Sequence, residues 1–329
     1  MPDTPSPETT PTRWVLVGVV LAVVVVGCLV VLVVAFGGGD PGTRSVTSAP
    51  TSTSVPGVGG SSTTAVASDD GVAEQERTLD VGGLSRTALV LAPTDVGPGE
   101  RLPAVVVLHG MGVSAKAMSN VADWRGAVAE DRFVAVFPQG VDNSWNLGPC
   151  CPPASLRGVD DVAFLDAVVA ELRSRADIDR ERMYLTGFSN GALMVYDYTC
   201  ERSDVFAAVA PMSGSNVTGC FPTRPVSLLH QHGDLDLVVP YGGGIALGSL
   251  VSSAPFPPVE SSVAAWAADD GCAPEPTVMS DGPVRRSTWG GCAEGTEVQL
   301  VRVSGKGHDW LRSGAFDPLS EMLEFFGLR

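Results

Sequence analysis

The tightest constraint on the fold is the run "PAVVVLHG" at 103–110. Its β-branched residues follow one another without a polar alternate. A strand can afford that only when both of its faces are covered. Comparable runs recur as "FVAVFPQG", "MYLTG", "FAAVAPMSG", "VSLLHQHG" and "EVQLVRVSG". Between them lie stretches with helical spacing: around 117–129, from Asp160 to about Arg175, from Ser189 through Tyr198, around 263–268, and the closing "PLSEMLEFFG". "RTLDVGGLSRTALVLAP" reads as two strands about the Gly82-Gly83 turn. Strand and helix in alternation predict an α/β domain over 76–329, with a mostly parallel sheet and helices on both faces. In such a sheet the reactive groups gather in loops beyond the carboxyl ends of the strands.

The N-terminal quarter has a different composition. Residues 14–36, "WVLVGVVLAVVVVGCLVVLVVAF", are 23 in number and carry no charge, enough to cross a bilayer as one helix. A cleavable leader has a shorter apolar core, so an uncleaved single-pass anchor is the expectation, after a short tail at 1–13. Val-Val-Gly-Cys ending at Cys28 offers lipidation as an alternative, and secretion after cleavage is another. Residues 37–75 are Gly, Ser, Thr, Pro and small side chains with no apolar period, the composition of a flexible tether.

Charge and cysteine content narrow the setting. The formal net charge of −16 and the lack of a basic cluster argue against a nucleic-acid partner. With Cys28 set aside, Cys150, Cys151, Cys200, Cys220, Cys272 and Cys292 form an even set. They show no metal-ligand spacing, so no metal or other cofactor is expected, and three disulfides formed outside the cytoplasm are. Cys272 with Cys292 is the best local pair, each lying in a Gly-containing turn. Cys150 and Cys151 are expected to reach Cys200 and Cys220 rather than each other. Oligomeric state is not legible.

The chemistry centres on "YLTGFSNGALM" at 184–194, a strand that breaks at Gly-Phe-Ser-Asn-Gly and resumes as a helix. G-x-S-x-G is weak evidence alone. It gains weight from the partners an α/β-hydrolase requires, in the chain order Ser, then Asp or Glu, then His. The chain has four histidines, and only His308 follows both Ser189 and a suitable acid. It sits in "VSGKGHDW", directly after the last predicted strand. The acid should follow "VSLLHQHG", where Asp234 and Asp236 both stand. Asp234 is placed to shape the turn after Gly233; Asp236, between Leu235 and Leu237, is favoured as the carboxylate that fixes the imidazole. Oxyanion donors are expected in the backbone N–H groups of Asn190, at the start of the new helix, and Met111, in the "LHGMG" loop. Trp145 and Trp310 are candidates for aromatic walls of an acyl pocket. Asp160 and Asp161 are expected to cap the helix that begins there.

Together with "SWNLGPCC", "VDDVAFL", "HGDLDLVVPY", "WGGC" and "GKGHDW", these motifs resemble the extracellular polyhydroxybutyrate depolymerase and feruloyl esterase family of α/β-hydrolases over about residues 80–327. Leu311 stands where that family usually has proline. The resemblance implies Ser189, Asp236 and His308 as a catalytic triad. It implies an exported serine esterase, here tethered to the membrane with its catalytic domain outside, that cleaves esters of hydroxyacids or feruloyl-type aromatic acids through an acyl-enzyme. The same triad would serve a serine peptidase or an envelope acyltransferase, and a non-catalytic binding protein on a hydrolase scaffold is the alternative of another class.

Overall fold

Residues 63–67, 70–148, 150–245, 255–314 and 316–329 are described by a computed structural model of the chain. The expected anchor at 14–36 and Cys28 lie outside these residues. Among the described residues no helix is long and apolar enough to cross a membrane.

Among the described residues eleven strands form one sheet: β1 (Thr63–Ala67), β2 (Val72–Val81), β3 (Leu84–Pro93), β4 (Leu102–Leu108), β5 (Val134–Pro138), β6 (Ile178–Phe188), β7 (Ala208–Met212), β8 (Ser227–Gly233), β9 (Thr277–Asp281), β10 (Val284–Trp289) and β11 (Val298–Val303). Their order is β1-β2-β3-β5-β4-β6-β7-β8-β11-β10-β9. The block from β5 to β11 is parallel throughout, as the unbroken apolar runs require. Antiparallel strands complete both flanks.

The helices are α1 (Ala115–Met118), α2 (Trp124–Asp131), α3 (Ala154–Arg157), α4 (Asp161–Ser174), α5 (Asn190–Glu201), α6 (Val259–Asp269) and α7 (Pro318–Phe325). They fall on the two faces of the sheet, and β4 shows why. Its side chains alternate sides with period two. Ala104, Val106 and Leu108 join Phe164, Leu193 and Trp266 of α4, α5 and α6 in one core. Val105 and Val107 join Trp124, Val128 and Met322 of α2 and α7 in the other. Every residue of β4 is buried as a result.

Two expectations need correction, and one element was not foreseen. Strand β1 and the start of β2 lie inside the segment expected to be a tether. The helix expected around 117–129 is two, because the chain turns after Met118 and Asp123 starts α2 anew by accepting the Gly126 N–H. The β9–β10 hairpin has no counterpart in the sequence reading. All of β9 is exposed, so no apolar period marks it, and its signal is the Asp281-Gly282 turn with Gly282 at φ +55°.

Candidate active site

Strand β6 delivers Ser189 and α5 leaves from it at once. The turn holds Ser189 at φ 56°, ψ −121°, outside the favoured regions for a residue with a side chain. The two flanking glycines are dictated by space. A Cβ on Gly187 would stand 2.6 Å from the Gly191 carbonyl group, and one on Gly191 would stand 2.5 Å from Leu108 O. Helix α5 therefore starts in van der Waals contact with the ends of β4 and β6. Ser189 N–H is held by Met212 O at 3.0 Å, which ties the turn to β7 as well.

The loop after β11 carries His308 over this turn. His308 Nε2 lies 2.8 Å from Ser189 Oγ. On its other side Nδ1 lies 2.7 Å from Asp236 Oδ2. A carboxylate can only accept, so Nδ1 holds the proton and Nε2 presents a lone pair to the hydroxyl. The Phe188 ring rests 5.0 Å from the imidazole, centroid to centroid, and supports it from the strand side.

Asp236 is buried, and its second oxygen is occupied too. Oδ1 accepts from the N–H groups of Val238 and Val239, each at 2.8 Å. His232 Nε2 stands 3.3 Å from Oδ2 and 2.9 Å from Val239 O, so its N–H is shared, pointing mainly at the carbonyl. Burial alone would raise the Asp236 pKa. The hydrogen bonds from His232 and His308, the His308 charge and the Val239 N–H outweigh it and hold the carboxyl well below the usual carboxylate range. Asp234 does different work. It pairs with Arg302 at 2.8 Å and accepts the Gly305 N–H at 2.7 Å, pinning the histidine loop from outside.

The loop after β4 lies against the turn, since a Cβ on Gly110 would approach the Ser189 Cβ to 3.3 Å. Within it the Gly112 N–H is taken by Asn143 O and the Val113 N–H by Gly110 O. Among the described residues the N–H groups of Met111 and Asn190 have no acceptor. Two free donors beside a serine oxygen suit a developing oxyanion. His109 braces this loop. Its Nε2 accepts the Gly140 N–H at 2.9 Å and its Nδ1 faces Gly110 O. Burial pushes its pKa down to about 4, with Arg86 adding to the shift against the Gly110 bond, so the ring is neutral at pH 7.

Trp145 is no pocket wall. It is fully buried, and its indole N–H donates to His109 O at 2.9 Å. The residue is turned inward because the Asn190 amide supplies partners for both of its backbone polar groups. Trp310 is half-buried against the α2–α7 core, two residues from His308. Asp160 caps α4 as expected, but Asp161 is turned into the core. It pairs with Arg86 at 2.7 Å and accepts the Asn146 N–H at 2.8 Å.

The cysteines pair Cys150–Cys151, Cys200–Cys220 and Cys272–Cys292. The last is the local pair expected. The first two replace the expected cross-pairing: Cys150 and Cys151 close on each other beside Trp145, in a loop held by the Leu147 N–H to Cys150 O bond. The residues that the sequence reading missed are His109, Phe188, His230, His232 and Tyr196. Only the histidines carried a signal, as polar residues within an apolar run or directly after one.

No protein-family model matches the chain. Feruloyl esterase B of Piromyces equi is 31% identical over 235 residues, 68% of this chain and 42% of that protein, so the chain spans less than half of that relative's length. Feruloyl esterase C of Emericella nidulans is 28% identical over 68% of this chain and 76% of its own. Among solved structures, an acetyl xylan esterase from Aspergillus awamori superposes with a TM-score of 0.57 at 15% identity, over 77% of this chain and 99% of its own, which establishes the common fold. The chain thus has the fold of an α/β-hydrolase, and its sequence is similar to those of feruloyl esterases.

Proposed function

We propose that the chain is a serine carboxylic ester hydrolase acting through Ser189, His308 and Asp236. The observation that carries the reading is the unbroken contact from Ser189 Oγ through the His308 ring to Asp236 Oδ2, at 2.8 and 2.7 Å. His308 Nε2 takes the hydroxyl proton as Ser189 Oγ attacks the ester carbonyl. The oxyanion is received by the Met111 and Asn190 N–H groups. Asp236 stays ionised and stabilises the imidazolium, which then protonates the departing alcohol. Water, deprotonated by the same imidazole, releases the acid from the acyl-enzyme.

The substrate class proposed is esters of hydroxyacids or of feruloyl-type aromatic acids, in line with the names of the relatives. Leu235 and Leu237, both exposed, flank Asp236 and offer an apolar surface beside the site. The setting proposed is outside the cytoplasm, tethered by residues 14–36; three disulfides among the described residues support it.

A fluorophosphonate probe should label wild type at one site and leave Ser189→Ala unlabelled. That variant should also lose p-nitrophenyl butyrate hydrolysis while keeping its Tm. Unchanged turnover in Ser189→Ala would refute the reading. A panel of feruloyl sugars and hydroxybutyrate oligomers then separates the two acyl classes.

A further inference from the structure

His232, which reaches the same Asp236 oxygen as His308, begins a row of buried polar groups that take no step in the reaction proposed above. His232 Nδ1 is 3.0 Å from His230 Nε2. His230 Nδ1 is 2.7 Å from the Tyr196 hydroxyl. Tyr196, His230 and His232 are all at most 1% exposed. Two ordered histidines and a tyrosine in an apolar core demand a reason, since each polar atom left unpaired there is costly.

The proton positions follow from the neighbours. His232 Nε2 faces two acceptors, Val239 O and Asp236 Oδ2, so it bears hydrogen. The Tyr196 hydroxyl has His230 Nδ1 as its acceptor, so that nitrogen bears none. His230 Nε2 then carries the proton and donates to His232 Nδ1. All three bonds point the same way, from Tyr196 through His230 and His232 to the acid loop, with both rings neutral. Reversing them would leave the tyrosine hydrogen buried without an acceptor.

The placement of the ends gives the row its meaning. Tyr196 belongs to α5, about two turns beyond the serine that starts the helix. His230 and His232 are on β8, whose end carries the Asp236 loop. The hydrogen bonds therefore close a circuit: from Ser189 along its own helix to Tyr196, through both histidines to Asp236, and back through His308. We propose that His232, held by His230 and Tyr196, is a positioning residue that fixes the Asp236 loop at a set distance from the nucleophile's helix, so that Asp236 Oδ2 meets the His308 Nδ1 proton in line. No proton moves along the row. The inference rests on the esterase reading of Ser189.

The test uses the full chain. With four histidines in the protein, selective 15N labelling resolves each ring, and His230 and His232 should both appear as neutral rings protonated on Nε2. A proton on Nδ1 of either overturns the proposal. In steady-state hydrolysis of p-nitrophenyl butyrate, His232→Leu should lower kcat about ten- to a hundredfold with KM within about twofold. His232→Gln, which keeps a donor at the reach of Nε2, should recover to within about threefold of wild type. Tyr196→Phe removes one hydroxyl with little change of volume and should lower kcat about two- to fivefold, which serves if the leucine variant does not fold. Wild-type kcat in His232→Leu, or a glutamine variant as slow as the leucine one, overturns the positioning role. If wild type neither hydrolyses the ester nor takes up a fluorophosphonate, the esterase reading fails, whereas the ring protonation states still decide the donor row.

Discussion

Trp145 and Asn190 hold each other by two reciprocal hydrogen bonds: Trp145 N–H to Asn190 Oδ1 at 2.7 Å, and Asn190 Nδ2 to Trp145 O at 3.1 Å. One side chain thus satisfies two buried backbone groups. Asn190→Ala leaves both groups of Trp145 unpaired and should cost about 2–5 kcal/mol in urea unfolding, with a fall in kcat that exceeds any change in KM. Full stability in the variant would mean that water replaces the amide.

The two acids after β8 should separate cleanly. Asp236→Asn removes the acceptor that fixes the His308 tautomer and should lower kcat by about three to four orders of magnitude. Asp234→Asn loosens its bonds to Arg302 and Gly305, and should cost less than about tenfold in kcat. Equal losses would reassign the roles.

Gly187→Ala probes the close approach under the serine. Its methyl would have to stand 2.6 Å from backbone atoms of Gly191, which cannot retreat without moving α5 off the sheet. The expected result is destabilisation of at least about 2 kcal/mol together with loss of fluorophosphonate labelling. A labelled variant of wild-type stability would contradict the packing described.

Arg86 and Asp161 form an ion pair with side-chain exposures of 4% and 0%, and the guanidinium also lies 3.9 Å from the Phe164 ring centroid. Arg86→Met strands a buried carboxylate, which should cost about 3–5 kcal/mol. Because Asp161 also holds the Asn146 N–H, esterase activity should fail at a lower urea concentration than the bulk unfolding signal.

Asp270 supplies a pH dependence with a definite sign. Burial, with Asp269 nearby and against the Val226 N–H, pushes its carboxyl up to about 7. The folded chain then holds a proton that the unfolded chain releases near pH 4, so stability falls as pH rises from about 4 to 7. Asp270→Asn keeps an acceptor for Val226 N–H and abolishes that slope. Its Tm should exceed that of wild type at pH 8 and approach it at pH 4. Parallel Tm profiles for the two proteins would refute the assignment.

How much of this was legible beforehand depended on how each residue signals its partners. Ser189, Asp236 and His308 could be named because each follows a strand whose apolar run is unmistakable, and because histidine is scarce. Trp145 misled. Aromatic character says nothing about which way a loop turns, and its inward turn depends on an amide 45 positions away. The vicinal Cys150–Cys151 pair was equally hidden, since adjacency in sequence reads as two separate reaches. Strand β9 left no apolar trace because all of it is exposed, and β10 buries only Val284, Ser287 and Trp289. The donor row that ends at Asp236 was visible only as its letters: "HQH" places two histidines on one side of a strand, but the tyrosine that orients them comes from another element.

Helix α5 begins at Ser189, the proposed nucleophile, and ends beside Cys200, which is bonded to Cys220. The serine is thus the near end of a rod whose far end is covalently clamped. Thiol reductants would act on hydrolysis at a distance, by letting the rod fray from its tail, and preparations made with and without them would be different enzymes rather than different purities of one.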